Sequence, residues 1–71
     1  MKGQILEWND GKGYRRGLLA AHKEQPASLR KQGRAIVYML DEDNNLQNNE
    51  KGGNILHIVQ IDKTKLVGFI D

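Results

Sequence analysis

The chain has 71 residues, no cysteine and a formal net charge of +2. This length predicts one small domain, residues 1–71, which buries only about 60% of the surface that its unfolded chain exposes. A disulfide framework and a thiolate zinc site are excluded, and no apolar run approaches the roughly 20 residues of a membrane-spanning helix. The N-terminus lacks the apolar core of a signal peptide, so we expect a cytoplasmic protein without a membrane partner.

The charge is distributed unevenly along the chain. Residues 1–34 contain eight Lys or Arg and three acidic residues, for a net charge of +5. Residues 35–71 contain three Lys and six acidic residues, for a net charge of −3. A basic half can form a phosphate-binding face, and an ordinary solvated surface of mixed charge explains the same numbers.

The first predicted element is a strand over residues 2–9. Ile5, Leu6 and Trp8 favour extended backbone there. The Asn9-Asp10-Gly11 sequence that follows indicates a turn, because Asn and Gly tolerate a positive φ.

Residues 2–14 carry a resemblance to a known family. A Lys-Gly start, a Trp-Asn turn and the sequence Lys12-Gly13-Tyr14 are similar to the opening of cold-shock domains. Those domains are five-stranded OB-type barrels that bind single-stranded nucleic acid. The resemblance therefore implies such a barrel, with Trp8, Lys12 and Tyr14 as counterparts of the family's nucleic-acid contacts. The chain departs from the family at Arg15-Arg16-Gly17, where the family has Gly-Phe-Ile, and it lacks the Phe-Val-His motif that follows.

The middle of the chain predicts mixed structure. Residues 17–25 contain good helix formers, yet residues 14–22 can equally form a strand after the turn; we favour the strand. Residues 26–33 predict one or two helical turns, with Pro26 at the first helical position and Gly33 after the end. Residues 34–40 predict a strand with Ala35, Val37 and Met39 on one face.

The C-terminal half predicts a polar loop followed by a hairpin. We expect residues 41–53 to form a mobile loop in which Leu46 anchors the middle. Residues 55–61 are rich in Ile, Leu and Val, and residues 66–70 form a second apolar run interrupted by Gly68, as at a bulge. The polar residues 62–65 between them have the length of a hairpin connection. In all, the sequence predicts a mainly β fold of four or five short strands, barrel-like or curved and antiparallel, with one short helix near residues 26–32.

No catalytic or metal motif is found. An EF-hand loop beginning at Asp41 would need Gly and Glu where Leu46 and Gly52 stand. His22 and His57 match no ligand spacing, and we interpret His57 as a structural residue of a strand. The only serine, Ser28, has no partners for a triad. We therefore expect a non-enzyme with no cofactor.

Binding is the remaining class of function. The candidate nucleic-acid-binding residues are aromatic or basic, and all eight lie in the basic half: Trp8, Lys12, Tyr14, Arg15, Arg16, Arg30, Lys31 and Arg34. Trp8 can serve base stacking or the core, whereas Tyr38 fits the core better. The Tyr14-Arg15-Arg16 cluster predicts that Arg15→Ala with Arg16→Ala lowers the affinity for RNA or single-stranded DNA.

A second function class stays open. The protein can be a non-enzymatic interaction or regulatory module, self-associating or binding a partner through the edge of the C-terminal hairpin.

Overall fold

The computed structural model describes residues 3–70. Five strands form one antiparallel sheet: β1 (Gly3–Asn9), β2 (Tyr14–Leu19), β3 (Arg34–Leu40), β4 (Leu56–Gln60) and β5 (Lys65–Ile70). One short helix, α1 (Ala27–Lys31), and two 3₁₀ helices, His22–Glu24 and Ile61–Lys63, complete the structure of these residues. The predicted mainly β fold with one short helix is confirmed. The sheet is not closed into a barrel.

The sheet order is β4-β3-β2-β1-β5, and every neighbouring pair is antiparallel. Two strands therefore separate β1 from β4, yet the Trp8 ring of β1 stacks on the His57 ring of β4. Such a contact requires strong curvature, which brings the inner faces of distant strands together. The protein is a curved antiparallel sheet with two free edges, β4 and β5.

The predicted C-terminal hairpin is wrong, although both of its strands form. β4 pairs with β3 and β5 pairs with β1, so the two strands lie at opposite edges of the sheet. The connection between them is a 3₁₀ turn, in which both the backbone N–H and the hydroxyl of Thr64 donate to the Ile61 carbonyl. This turn redirects the chain, and the free edge of β1 provides a partner for β5.

The ambiguous segment 17–25 is divided between two conformations. β2 ends at Leu19, and a 3₁₀ helix follows instead of strand through His22. The Gln25 carboxamide explains this end: its oxygen accepts from the Ile36 N–H at 2.8 Å, and its NH₂ donates to the carbonyls of Ala20 and Ile36 at 3.0 Å. The Gln25 side chain thus makes the hydrogen bonds to β3 that the next residue of β2 would otherwise make.

The remaining elements lie close to their predicted bounds. α1 begins after Pro26, which occupies the N-cap and not the first helical position, and Gly33 has the positive φ of 71° expected beyond a helix end. The β1–β5 register shifts between Ile5 and Leu6, beside the predicted bulge at Gly68. The side chain of Leu46 is 43% exposed, but its backbone forms an isolated antiparallel bridge with Leu40, which ties the middle of the loop to the end of β3.

The core lies on the concave face of the sheet. It contains Leu6 and Trp8 of β1, Val37 and Met39 of β3, and Val59 of β4. The predicted sharing of one face by Ala35, Val37 and Met39 is confirmed, and the structure shows that this face points into the core. The core is small, as expected for a chain of this length, and large apolar side chains remain exposed on both edge strands.

Candidate nucleic-acid interface

A groove of about 460 Å³ lies where the end of β1, the strand β4 and the second 3₁₀ helix meet. We call it the Trp8 groove. Its lining includes an aromatic pair, two cations and one carboxylate, and consists of Trp8, Asn9, Asp10, Arg34, His57, Ile58, Val59, Gln60, Lys63 and Thr64.

The aromatic pair of the groove is stacked. The ring centroids of Trp8 and His57 are 5.8 Å apart, and the ring planes differ by only 5°. Trp8 is 8% exposed and belongs to the core, whereas His57 is exposed. The imidazole is therefore the accessible surface of a stack whose lower ring is fixed by packing.

Two cations line the groove from elements that are far apart in sequence. Arg34 begins β3 and is paired in register with Gln60, and Lys63 lies in the second 3₁₀ helix. The Ile61 N–H donates to the Gly33 carbonyl at 2.9 Å, which ties that 3₁₀ helix to the residue before Arg34. Both cations are exposed, and neither forms an ion pair with a carboxylate among residues 3–70.

The one carboxylate of the groove, that of Asp10, already accepts hydrogen bonds at both of its oxygens. Oδ1 of Asp10 accepts from the Lys12 N–H at 2.8 Å, and Oδ2 accepts from Nε of Arg15 at 2.9 Å. The Lys12 N–H first, and the Arg15 guanidinium with it, hold the pKa of Asp10 below its usual 3.8. Asp10 is therefore ionised at neutral pH, and its charge is shared with Arg15.

The Tyr14-Arg15-Arg16 cluster has a different setting from the one predicted. Tyr14 is 74% exposed, as a base-stacking residue must be. Arg15 is paired with Asp10, and Nε of Arg16 donates to Glu7 Oε2 at 3.0 Å. The depression around this cluster is also lined by Glu7, Asp41 and Glu42. Carboxylates therefore offset the charge of both guanidiniums there.

The predicted site residues occupy two adjoining parts of the surface, which meet where Arg15 is paired in register with Trp8. Trp8 and Arg34 meet in the Trp8 groove, and Arg30 and Lys31 end the helix that leads to Arg34. Tyr14, Arg15 and Arg16 lie at the start of β2, and the pairing of Arg16 with Leu40 places Arg16 at the other end of β3 from Arg34. Arg15 also lines a second depression, of about 380 Å³, together with Trp8 and His57. Lys12 lies in the exposed turn between β1 and β2.

Eight of the ten groove residues were not among the predicted site residues, and His57, Gln60 and Lys63 are three of them. Gln60 lies in the first strand of the predicted hairpin, and Lys63 lies in the predicted connection after it. His57 was interpreted as a structural residue. His57 and Val59 are two residues apart, so they share one face of their strand. This spacing is the one signal in the sequence that places His57 on the same side of the sheet as Trp8. Nothing in the sequence indicates that Lys63 approaches Arg34.

Comparison with protein-family models, with curated proteins and with solved structures found no match for this chain. Among the helices of residues 3–70, none has the length and apolar character needed to cross a membrane. The described part of the chain also contains no group of three His, Asp or Glu side chains placed to hold a metal ion.

Proposed function

We propose that this protein is a non-enzymatic binder of RNA or single-stranded DNA, and that the Trp8 groove is its binding site. The observation that supports the proposal is the stacked Trp8–His57 pair with Arg34 and Lys63 lining the same groove. An aromatic surface combined with unpaired cations is the arrangement that binds single strands without strong sequence preference.

Each part of the groove has a role in this proposal. A base stacks on the exposed His57 ring, whose orientation Trp8 holds, while Arg34 and Lys63 contact flanking phosphates. The volume of about 460 Å³ is suited to about one or two bases. Arg30 and Lys31 extend the cationic path along α1, and Lys12 and Tyr14 supply exposed contacts beyond Asp10. No cofactor takes part, and we place the protein in the cytoplasm.

The experiment uses the single tryptophan of the chain as its probe. Because Trp8 lines the groove, we expect its fluorescence to change when a short mixed oligonucleotide, as RNA or DNA, is titrated at low salt. Arg34→Ala with Lys63→Ala removes two positive charges from the groove. We expect this variant to lose about 1–3 kcal/mol of binding free energy, and the slope of log Kd against log salt to fall with the lost phosphate contacts.

Arg15→Ala with Arg16→Ala is the matched control, since it also removes two positive charges. We expect a smaller loss of affinity from this pair, because Asp10 and Glu7 already offset both guanidiniums. If the control pair loses as much affinity as the groove pair, the binding face is not centred on Arg34 and Lys63 and includes the start of β2, where Arg15 lies beside Trp8. If the wild-type protein binds neither oligonucleotide at low salt, the proposed function is wrong.

A second candidate function, a protein-interaction or regulatory module, is favoured by a separate observation. Large apolar side chains are about half exposed on both edge strands, including Leu56 and Ile58 of β4 and Leu66 and Phe69 of β5. Free strand edges with apolar side chains are typical sites of strand addition by another chain.

A further inference from the structure

The outer edge of β4 lacks the features that usually protect a free strand. Residues 55–61 contain no Lys, Arg, Asp, Glu, Pro or Gly. Natural edge strands are commonly protected from pairing by charges, prolines or bulges. The opposite edge strand, β5, has such protection, because Lys65 begins it and the register shift at Ile5 and Leu6 bends its ladder.

The hydrogen bonds at both ends of β4 determine which backbone groups are free. Met39 donates to the Ile55 carbonyl at 2.8 Å, and Ile61 donates to the Gly33 carbonyl at 2.9 Å. Both bonds join residues that stand opposite each other when the β3–β4 register is continued by one residue at each end. Because residues of an antiparallel strand alternate between facing the partner and facing away, these two bonds fix the alternation for the whole strand.

Between those ends, His57 and Val59 direct their backbone N–H and C=O groups toward β3. Leu56, Ile58 and Gln60 direct theirs toward the open edge. The side chains of Leu56 and Ile58 are 55% and 51% exposed on the outer face of the sheet. Within residues 3–70, the edge therefore presents three donor–acceptor pairs that no other strand uses, together with an apolar side-chain row.

We propose that β4 pairs with β4 of a second copy of this chain, antiparallel and about a two-fold axis through Ile58. This register is the one that uses all three free residues, because it opposes Ile58 to Ile58 and Leu56 to Gln60 and forms six backbone hydrogen bonds. The inference rests on the second candidate function and does not depend on nucleic-acid binding.

A second copy suits this edge better than a charged partner does. A two-fold axis opposes each residue to itself or to a near neighbour, so any charge on the strand would meet a like charge. Residues 55–61 contain no Lys, Arg, Asp or Glu, and the pairing continues the apolar row of Ile36, Leu56 and Ile58 that lines a depression of about 410 Å³. One short strand contributes less than the roughly 800 Å² per partner of a stable interface, so the dimer is weak and reversible.

The test measures self-association of the full chain without oligonucleotide, by sedimentation at rising concentration. We expect a monomer–dimer equilibrium with a Kd between about 10 μM and 1 mM. Ile58→Lys places two like charges beside the axis, and we expect it to raise the Kd about tenfold or more. Leu66→Lys is the matched control on β5, where the side chain is 48% exposed, and we expect its Kd to equal that of the wild type.

A charge-swap mixture tests the register itself. Ile58→Lys and Ile58→Asp should each be monomeric, and an equimolar mixture of the two should associate, because the axis opposes position 58 to position 58. Amide dispersion in NMR spectra identifies a variant that has not folded, and Leu56→Lys then replaces it. A monomeric wild type at 1 mM, or association lost in Leu66→Lys and kept in Ile58→Lys, would overturn the proposal. Neither result would affect the oligonucleotide test above.

Discussion

Gly17 lies at a point of β2 where the core leaves no room for a side chain. A Cβ atom added there would lie 2.7 Å from Cγ2 and 2.8 Å from Cβ of Val37, and 3.1 Å from Cη2 of Trp8. Val37 is fully buried and branched at Cβ, so it cannot move aside. The close approach of β2 to β3 and to the indole therefore depends on this glycine.

We expect Gly17→Ala to lower the free energy of unfolding by about 1–3 kcal/mol, because the added methyl group overpacks the core. Urea unfolding at neutral pH measures the change. Gly68→Ala is the matched control, since its nearest atom, Ile5 Cδ1, is 3.7 Å from the added Cβ. If both variants are as stable as the wild type, Trp8 and Val37 are less firmly packed than described.

Asp10 links stability to pH at the end of β1. The pKa of its carboxyl is lowered in the folded protein, chiefly by the Lys12 N–H and also by Arg15. A lowered pKa means that the ionised form stabilises the fold above pH 3.8, and that this contribution is lost as the pH falls through the folded value.

Asp10→Asn should therefore reduce the loss of unfolding free energy that occurs as the pH is lowered. Between about pH 5 and pH 2, we expect the urea midpoint of the wild type to fall more than that of the variant. Asp62→Asn is the control, because the Asp62 carboxylate accepts no hydrogen bond within residues 3–70. Equal slopes for wild type and Asp10→Asn would show that the turn does not stabilise the ionised carboxylate.

At the scale of elements, the end of β2 is determined by one side chain. Gln25 completes the hydrogen bonding of Ala20 and Ile36 where the strand itself stops. Residues 22–24 are thereby free to form a 3₁₀ helix, and Tyr38 of β3 packs beside it with its hydroxyl donating to Glu24 Oε1 at 2.9 Å.

Gln25→Ala should destabilise the protein by about 1–3 kcal/mol, because the part-buried Ile36 N–H loses its acceptor. Hydrogen exchange at Ile36 should rise with it, and it reports the local opening directly. The exposed Gln32, whose side chain makes no hydrogen bond among the described residues, is the control as Gln32→Ala. Unchanged exchange at Ile36 in the Gln25 variant would show that water replaces the carboxamide at no cost.

The strands themselves were largely predictable from local sequence. Alternation and β-branched residues located β3 with its correct bounds, and the Asn9-Asp10-Gly11 turn located the β1–β2 connection. The pairing of β4 and β5 was not predictable in the same way. A short polar connection has the same sequence features whether it joins two paired strands or leads to the opposite edge of the sheet. Which strand β5 pairs with depends on the free edges that the rest of the sheet offers.

At the scale of the whole molecule, the curved sheet decides which charges meet. The basic first half does not form one cationic face, since its arginines at positions 15 and 16 pair with carboxylates of the same half. Curvature instead brings Arg34 and Lys63 to the groove that holds the Trp8–His57 stack. The same curvature leaves β4 and β5 as opposite edges, one unprotected and one charged.

The sequence by itself determined the class of the fold, the position of most strands and the division of β3 residues between two faces, because these depend on periods of two residues and on turn chemistry. The tertiary structure alone decided the strand order, the burial of Trp8 and the grouping of the candidate site. These properties depend on how far the sheet curls, and curvature is set by contacts such as Trp8 on His57 between residues 49 positions apart.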